Sequence, residues 1–228
     1  MRIVTWNCNS SLHKKLDKLI ELNPDVAVVQ ECEEALNGLP EGVSYQWVGH
    51  NPRKGLGVLS FVGDIELDRV FDNAWTYFLP VNANGYNLLA VWAFNHRTGK
   101  YGDDGDGYPL SVLPKLDAWL SRSNTFILGD FNNSVIWDKP KGTNNFSDIA
   151  GLLDEKGFKS AYHEFTREAF GQESQPTFYH TKKLEKPYHI DYCFCPSSLE
   201  LVNVQTGSFD DWIEYSDHVP VIVDIGDL

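Results

Sequence analysis

The chain has 228 residues, 42% of them hydrophobic, with 7 Trp, 10 Tyr and 13 Phe. That apolar content offsets the entropy of ordering the chain, which excludes disorder and predicts one large domain over 1–228 rather than two small ones. The formal net charge of −13 excludes a uniformly basic surface, so any grip on phosphates has to be local.

The start, Met1-Arg2-Ile3-Val4-Thr5-Trp6, lacks the apolar run of a secretion signal, and no later stretch reaches the length of a membrane span. A soluble cytoplasmic protein is expected, without membrane association and, lacking any oligomer signal, monomeric. Cys8, Cys32, Cys193 and Cys195 show no CxxC spacing, so they read as buried reduced thiols and not as zinc ligands.

In chain order, the first element is a strand over 2–6. Ser10 or Ser11 then caps a helix in which Leu12, Leu16, Leu19 and Ile20 recur at helical spacing, ended by Asn23-Pro24. A strand over 26–29 follows. Strands at about 43–48, 56–62, 65–70, 77–81 and 88–94, punctuated by Gly, Asn and Asp, predict antiparallel pairing. A helix over 109–120 precedes strand 125–128, a second over 147–156 precedes strand 158–162, and the rest is strand at 177–180, 192–195, 201–205 and 219–225. Many strands and few helices predict an α/β sandwich, two packed sheets with helices outside.

Polar residues of the metal-binding or acid/base kind cluster at strand ends. Asn7, Glu31, His96 and the pair Asp130 and Asn132 trail their strands, whereas Asp191 and Asp217-His218 lead theirs. If the later strands run against the earlier ones, trailing and leading ends meet at one sheet edge. Each residue alone has an ordinary explanation as a turn cap or solvated charge. Together they form a hard-oxygen set of the kind that suits magnesium or manganese better than zinc.

The motifs Thr5-Trp6-Asn7, Val29-Gln30-Glu31, Gly129-Asp130-Phe131-Asn132, Ile190-Asp191-Tyr192 and Ser216-Asp217-His218-Val219-Pro220-Val221 resemble those of the endonuclease/exonuclease/phosphatase superfamily, in its order and from end to end. The resemblance implies a four-layer α/β sandwich of two mainly antiparallel sheets flanked by helices. It implies Glu31 as the main ligand of Mg2+, with Mn2+ as the alternative, and Asn7 and Asp217 close to the metal. Asp130 and Asn132 would position the attacking water and the phosphoryl oxygens, and Asp191 would orient His218. The last role also makes sense without the family, because a carboxylate beside a histidine fixes its tautomer and stabilises its protonated form.

His96 stands where some branches of that family carry a histidine acid. Exonuclease III-like members use a tyrosine there, and Tyr101 lies a few residues on. Asn9 stands where many relatives carry a polar group beside the metal. Arg53 and Lys54 precede a strand, Arg97 and Lys100 follow His96, and Lys182, Lys183 and Lys186 lie between residue 180 and Asp191. All are candidates for touching backbone phosphates. The Gly-interleaved Asp103, Asp104 and Asp106 lack EF-hand spacing and read as a surface loop. Trp137 and Asp138 could stack on or steer a base, with core or lid packing of Trp137 as the plainer reading.

The expected activity is a metal-dependent phosphodiesterase acting on nucleic acid, DNA above all, with little sequence preference since no groove-reading helix is visible. By resemblance, cleavage leaves a 5′-phosphate and a 3′-hydroxyl. A phosphatase or phosphodiesterase acting on a nucleotide, inositol phosphate or lipid head group is the second reading, and an inactive binding module of the same fold the third. The complete set Glu31, Asp130, Asn132, Asp191 and His218 speaks against the third.

Overall fold

The computed structural model describes residues 1–70, 77–94 and 107–226. Strand β1 (Arg2–Asn7) leads through a 3-10 turn (Leu12–Lys14) and helix α1 (Leu16–Ile20) to β2 (Val26–Cys32), which lies parallel to β1 with Asn7 opposite Gln30. Strands β3 (Ser44–Asn51) and β4 (Lys54–Ser60) form a hairpin whose β4 pairs with β2. A second antiparallel run follows, β5 (Ile65–Leu67), β6 (Phe78–Ala83) and β7 (Tyr86–Trp92). After α2 (Pro109–Val112) and α3 (Asp117–Leu120) comes β8 (Thr125–Asp130), parallel to β7.

The remaining elements are α4 (Phe146–Glu155), β9 (Phe158–Ser160), α5 (Ala161–Thr166), the short pair β10 (Phe178–Tyr179) and β11 (Pro187–Tyr188), β12 (Asp191–Pro196), β13 (Leu201–Thr206), α6 (Phe209–Trp212) and β14 (Val221–Ile225). They complete two six-stranded mixed sheets, ordered β13-β14-β1-β2-β4-β3 and β5-β6-β7-β8-β12-β9, with the helices outside. The expected sandwich is the observed one.

The central strands of both sheets are continuous apolar runs because both of their faces are covered. In β2, Val26 and Val28 enter the core shared with the second sheet, while Ala27 and Val29 pack with Leu12, Leu16 and Leu19 on the outer side. Among the described residues, no helix is long and apolar enough to cross a membrane.

Several elements depart from the expectations, each for a physical reason. The helix after Ser11 breaks at Lys15 (φ −126°), whose ammonium turns back to the carbonyls of Cys8 and Asn9. The helix over 109–120 is two short helices joined by a 3-10 turn at Leu113–Leu116, because Pro114 has no N–H to donate. The strand beginning at Phe158 stops at Ser160, and the chain continues as α5. The short β11 and α6 carry too little periodicity to read, and α6 is marked chiefly by its Ser208 cap.

This topology builds one edge from both ends of the chain. The trailing ends of β1, β2, β7 and β8 point the same way, and β12 and the segment before β14 arrive antiparallel to them, placing Asp191 opposite Asp130 and Val221 opposite Thr5. The Met1 amine donates to Ile225 O at 2.9 Å, so the first and last strands lie side by side.

Candidate active site

Asp130 ends β8 directly after Gly129, and the glycine is required there. Its φ is 150°, and a Cβ would lie 1.8 Å from Val91 O on the neighbouring strand and 3.0 Å from Gln30 Nε2. The buried Asp130 carboxylate accepts from Asn132 N at 2.8 Å through Oδ1, and from Asn132 Nδ2 at 3.0 Å and Asn7 Nδ2 at 2.9 Å through Oδ2. The Asn7 contact spans the two sheets. Asn132 Nδ2 also donates to Ala93 O (2.9 Å), tying the site to the end of β7.

His218 faces the same carboxylate, its Nε2 being 4.0 Å from Asp130 Oδ2. Its Nδ1 lies 2.9 Å from Asp191 Oδ2. The contact makes Nδ1 the donor and leaves Nε2 to face Asp130. Thr177 Oγ1 accepts from both Ile190 N and Asp191 N (3.0 Å each), and Ser216 bridges Asn7 O (2.7 Å) and His218 N (3.0 Å). Phe178 covers the imidazole at a centroid distance of 4.6 Å.

Burial, then the neighbouring Asp191 charge, raises the Asp130 pKa well above the carboxylate range, against the opposing pull of His218 and the amide donors. Burial alone would lower that of His218, but Asp191 and Asp130 outweigh it and raise it. The site therefore holds a proton between two carboxylates on a fixed imidazole.

Glu31 follows Gln30, the strand partner of Asn7, in a left-handed conformation (φ 62°) where the β2/β4 register shifts. Its Oε2 takes the Lys54 ammonium at 2.8 Å, so a cation already stands against this carboxylate. Nearby, Asn7 Oδ1 accepts from Asn9 N (3.0 Å), and Asp217 Oδ1 accepts from Asn9 Nδ2 (2.9 Å). The half-buried Glu31 and Asp217 and the buried Asn7 offer hard oxygens, a donor set that fits Mg2+ or Mn2+ and contains no thiolate for zinc. Atoms of Asp130, Asp191 and His218 also lie within 4.8 Å of one another. There the imidazole proton and the amides already satisfy most of the oxygens, and Asp191 Oδ1 alone is a buried atom without a partner.

Of the residues singled out in the sequence, Asn7, Asp130, Asn132, Asp191, His218, Asn9 and Asp217 are joined by direct contacts, and Glu31 with Lys54 borders them. Arg53 stands exposed at the β3/β4 hairpin, and the Lys182 ammonium donates to Glu214 O at 3.3 Å. His96, Arg97 and Tyr101 lie outside the described residues. Thr177, Ser216 and Lys15 join the site without any mark in the sequence that assigns them to it. Ser216 opens the Ser-Asp-His motif, but a neutral hydroxyl whose shorter bonds are to backbone groups leaves no charge pattern to notice.

A mixed two-sheet sandwich with a carboxylate–histidine cluster at its fused edge defines the class of protein. The family model described as "Endonuclease/Exonuclease/phosphatase family" matches residues 4–218, and the chain belongs to that family. A search of curated proteins found no match. Among solved structures, the chain is similar to a 3′-5′ exonuclease from Neisseria meningitidis (TM-score 0.75, 17% identity, 100% of both chains) and to an AP endonuclease from Archaeoglobus fulgidus (0.71, 18%, 100% of both). The likeness extends to a second structure of that Neisseria protein, an Asp-to-Asn variant described as a 3′ phosphatase bound to a product DNA hairpin (0.75, 18%, 100% of both). At these identities the likeness concerns the fold.

Proposed function

We propose that the protein is a magnesium-dependent phosphodiesterase that cuts DNA, with manganese able to substitute. The observation that carries this reading is the bonded array Asn7, Asp130, His218 and Asp191, formed across both sheets and bordered by the Glu31 carboxylate. Similarity to an AP endonuclease and to a Neisseria protein described both as a 3′-5′ exonuclease and as a 3′ phosphatase supports phosphoester chemistry, and the hairpin complex of the latter supports DNA.

Phosphodiesters resist hydrolysis because their charge repels the nucleophile. A divalent cation held by Glu31, Asn7 and Asp217 would neutralise that charge and polarise the phosphoryl oxygen. Asp130, fixed by three donors, accepts a proton from the attacking water. Asn132 orients a phosphoryl oxygen, and His218, held protonated by Asp191, donates toward the developing negative charge. Arg53, Lys54 and Lys182 meet flanking phosphates.

Supercoiled plasmid, single-stranded DNA and p-nitrophenyl phosphate, each with magnesium or with chelator, test the reading. DNA cleavage abolished by chelator is expected, and turnover of the small monoester alone would overturn it. That outcome would favour the second reading, a small-phosphoester hydrolase, with which the charge of −13 is compatible. Asp130→Asn and His218→Ala should each lower kcat by about 10²-fold or more while the protein stays folded. Full activity in either folded variant would show the roles to be misplaced.

A further inference from the structure

The segment after Asn132 is built firmly, yet it displays an aromatic side chain to solvent. Asn133 Nδ2 donates to Asn144 O (2.8 Å), and the Asp138 carboxylate accepts from Phe146 N (2.6 Å) and Ser147 N (3.0 Å) at the start of α4, closing residues 133–145 into a fixed loop. From its 3-10 turn project Ile136 and Trp137, 53% and 37% exposed. A cavity of about 740 Å³ opens beside them, and the exposed Lys139 and Lys141 stand on its wall.

Trp137 connects to the catalytic array through a line of rings. Its indole lies 5.2 Å from the Tyr188 ring, Tyr188 stacks along Phe178 at 6.2 Å, and Phe178 lies 4.6 Å from His218. An indole on a rigid, polar loop offers a flat apolar face, and the two lysines choose an anionic partner for it. A nucleic-acid strand supplies both features, with a base for the ring and phosphates for the ammonium groups. Bases inside a duplex are already stacked and cannot reach such a platform, whereas an unpaired one can.

We propose that Trp137 is a stacking platform for an unpaired base of the substrate strand, with Lys139 and Lys141 meeting that strand's phosphates. The substrate class is then DNA carrying single-stranded nucleotides beside the bond to be cut. This inference rests on the DNA-phosphodiesterase reading above.

Fluorescence anisotropy in chelator, where no turnover occurs, tests it with labelled DNA of four kinds: a blunt duplex, duplexes with a 3′ or a 5′ tail of three unpaired nucleotides, and a duplex whose tail keeps its phosphates but lacks bases. Trp137→Ala should weaken binding of at least one base-bearing tail about tenfold and leave the blunt and baseless duplexes within about twofold. Trp137→Phe should restore most of the affinity, and Trp137→Leu, apolar without an aromatic face, should not. Replacing both lysines (K139Q with K141Q) should reduce the slope of log affinity against log salt by about 0.7 for each phosphate no longer neutralised. Equal weakening of blunt and tailed duplexes in Trp137→Ala, or none, overturns the platform.

Cleavage of the same duplexes by the wild-type protein with magnesium separates the two claims. If it cuts none, the DNA reading itself falls. If it cuts them with no dependence on Trp137, only the platform falls.

Discussion

At the scale of single residues, the site is a matter of where one proton rests. Asp191 and Asp130 raise the His218 pKa from 6.5 to about 10 although burial acts the other way. Between those values the folded protein binds a proton that the unfolded chain does not, so this contribution to stability is complete below pH 6.5 and is lost as pH rises through about 10. Asp130, raised from 3.8 to about 7, acts in the same direction over its own lower range. Thermal melts in chelator should therefore show stability falling from pH 6.5 to 10, and Asp191→Asn should flatten that decline. A flat wild-type profile would mean that His218 is neutral in the fold.

The residues were legible in the sequence to the extent that they carry a charge or an amide in a short motif. Asp130, Asp191 and His218 stand in short motifs at strand ends. Thr177, which fixes the backbone at Asp191, is an ordinary threonine until the chain is folded. Lys54 stands out in the sequence as a cation before a strand, but its pairing with Glu31 does not, because that depends on two strands meeting.

At the scale of elements, the strand ends hold the site through backbone conformations that ordinary residues resist. A left-handed φ at a non-glycine residue costs about 1 kcal/mol or more, and Glu31 adopts one. Glu31→Gly should keep or slightly raise the melting temperature while abolishing metal-dependent hydrolysis, and isothermal titration with Mn2+ should show the loss of binding directly. A Tm drop of many degrees would mean that the side chain serves the fold. Gly129→Ala should do the reverse, destabilising by about 3 kcal/mol or more, because the added methyl meets Val91 O. Strands such as 26–29 and 125–128 could be read because burial on both faces makes them apolar throughout. The breaks at Lys15 and Pro114 and the turn from β9 into α5 could not, since tertiary contacts decide them.

At the scale of the whole molecule, the chain carries a net charge of −13, and on the DNA reading proposed above its site has to admit a polyanion. Each phosphate neutralised on duplex DNA contributes about −0.9 to the slope of log affinity against log salt. With Lys15, Arg53, Lys54 and Lys182 as the contacting cations among the described residues, the DNA reading predicts a slope of about −3 to −5, measured on a blunt duplex between 50 and 200 mM salt. A slope near zero would place the recognition in uncharged contacts.

The pairing of β1 with β14 has a further consequence. Asn7 comes from one end of the chain, while Ser216 and His218 come from the other, and their bonds close only when the last strand slots in beside the first. A chain opened at that seam keeps every earlier residue of the array but loses the Ser216 link between Asn7 and His218. On the reading proposed above, hydrolysis therefore requires both termini to be docked, and loosening either one would switch the edge off without touching a single side chain of it.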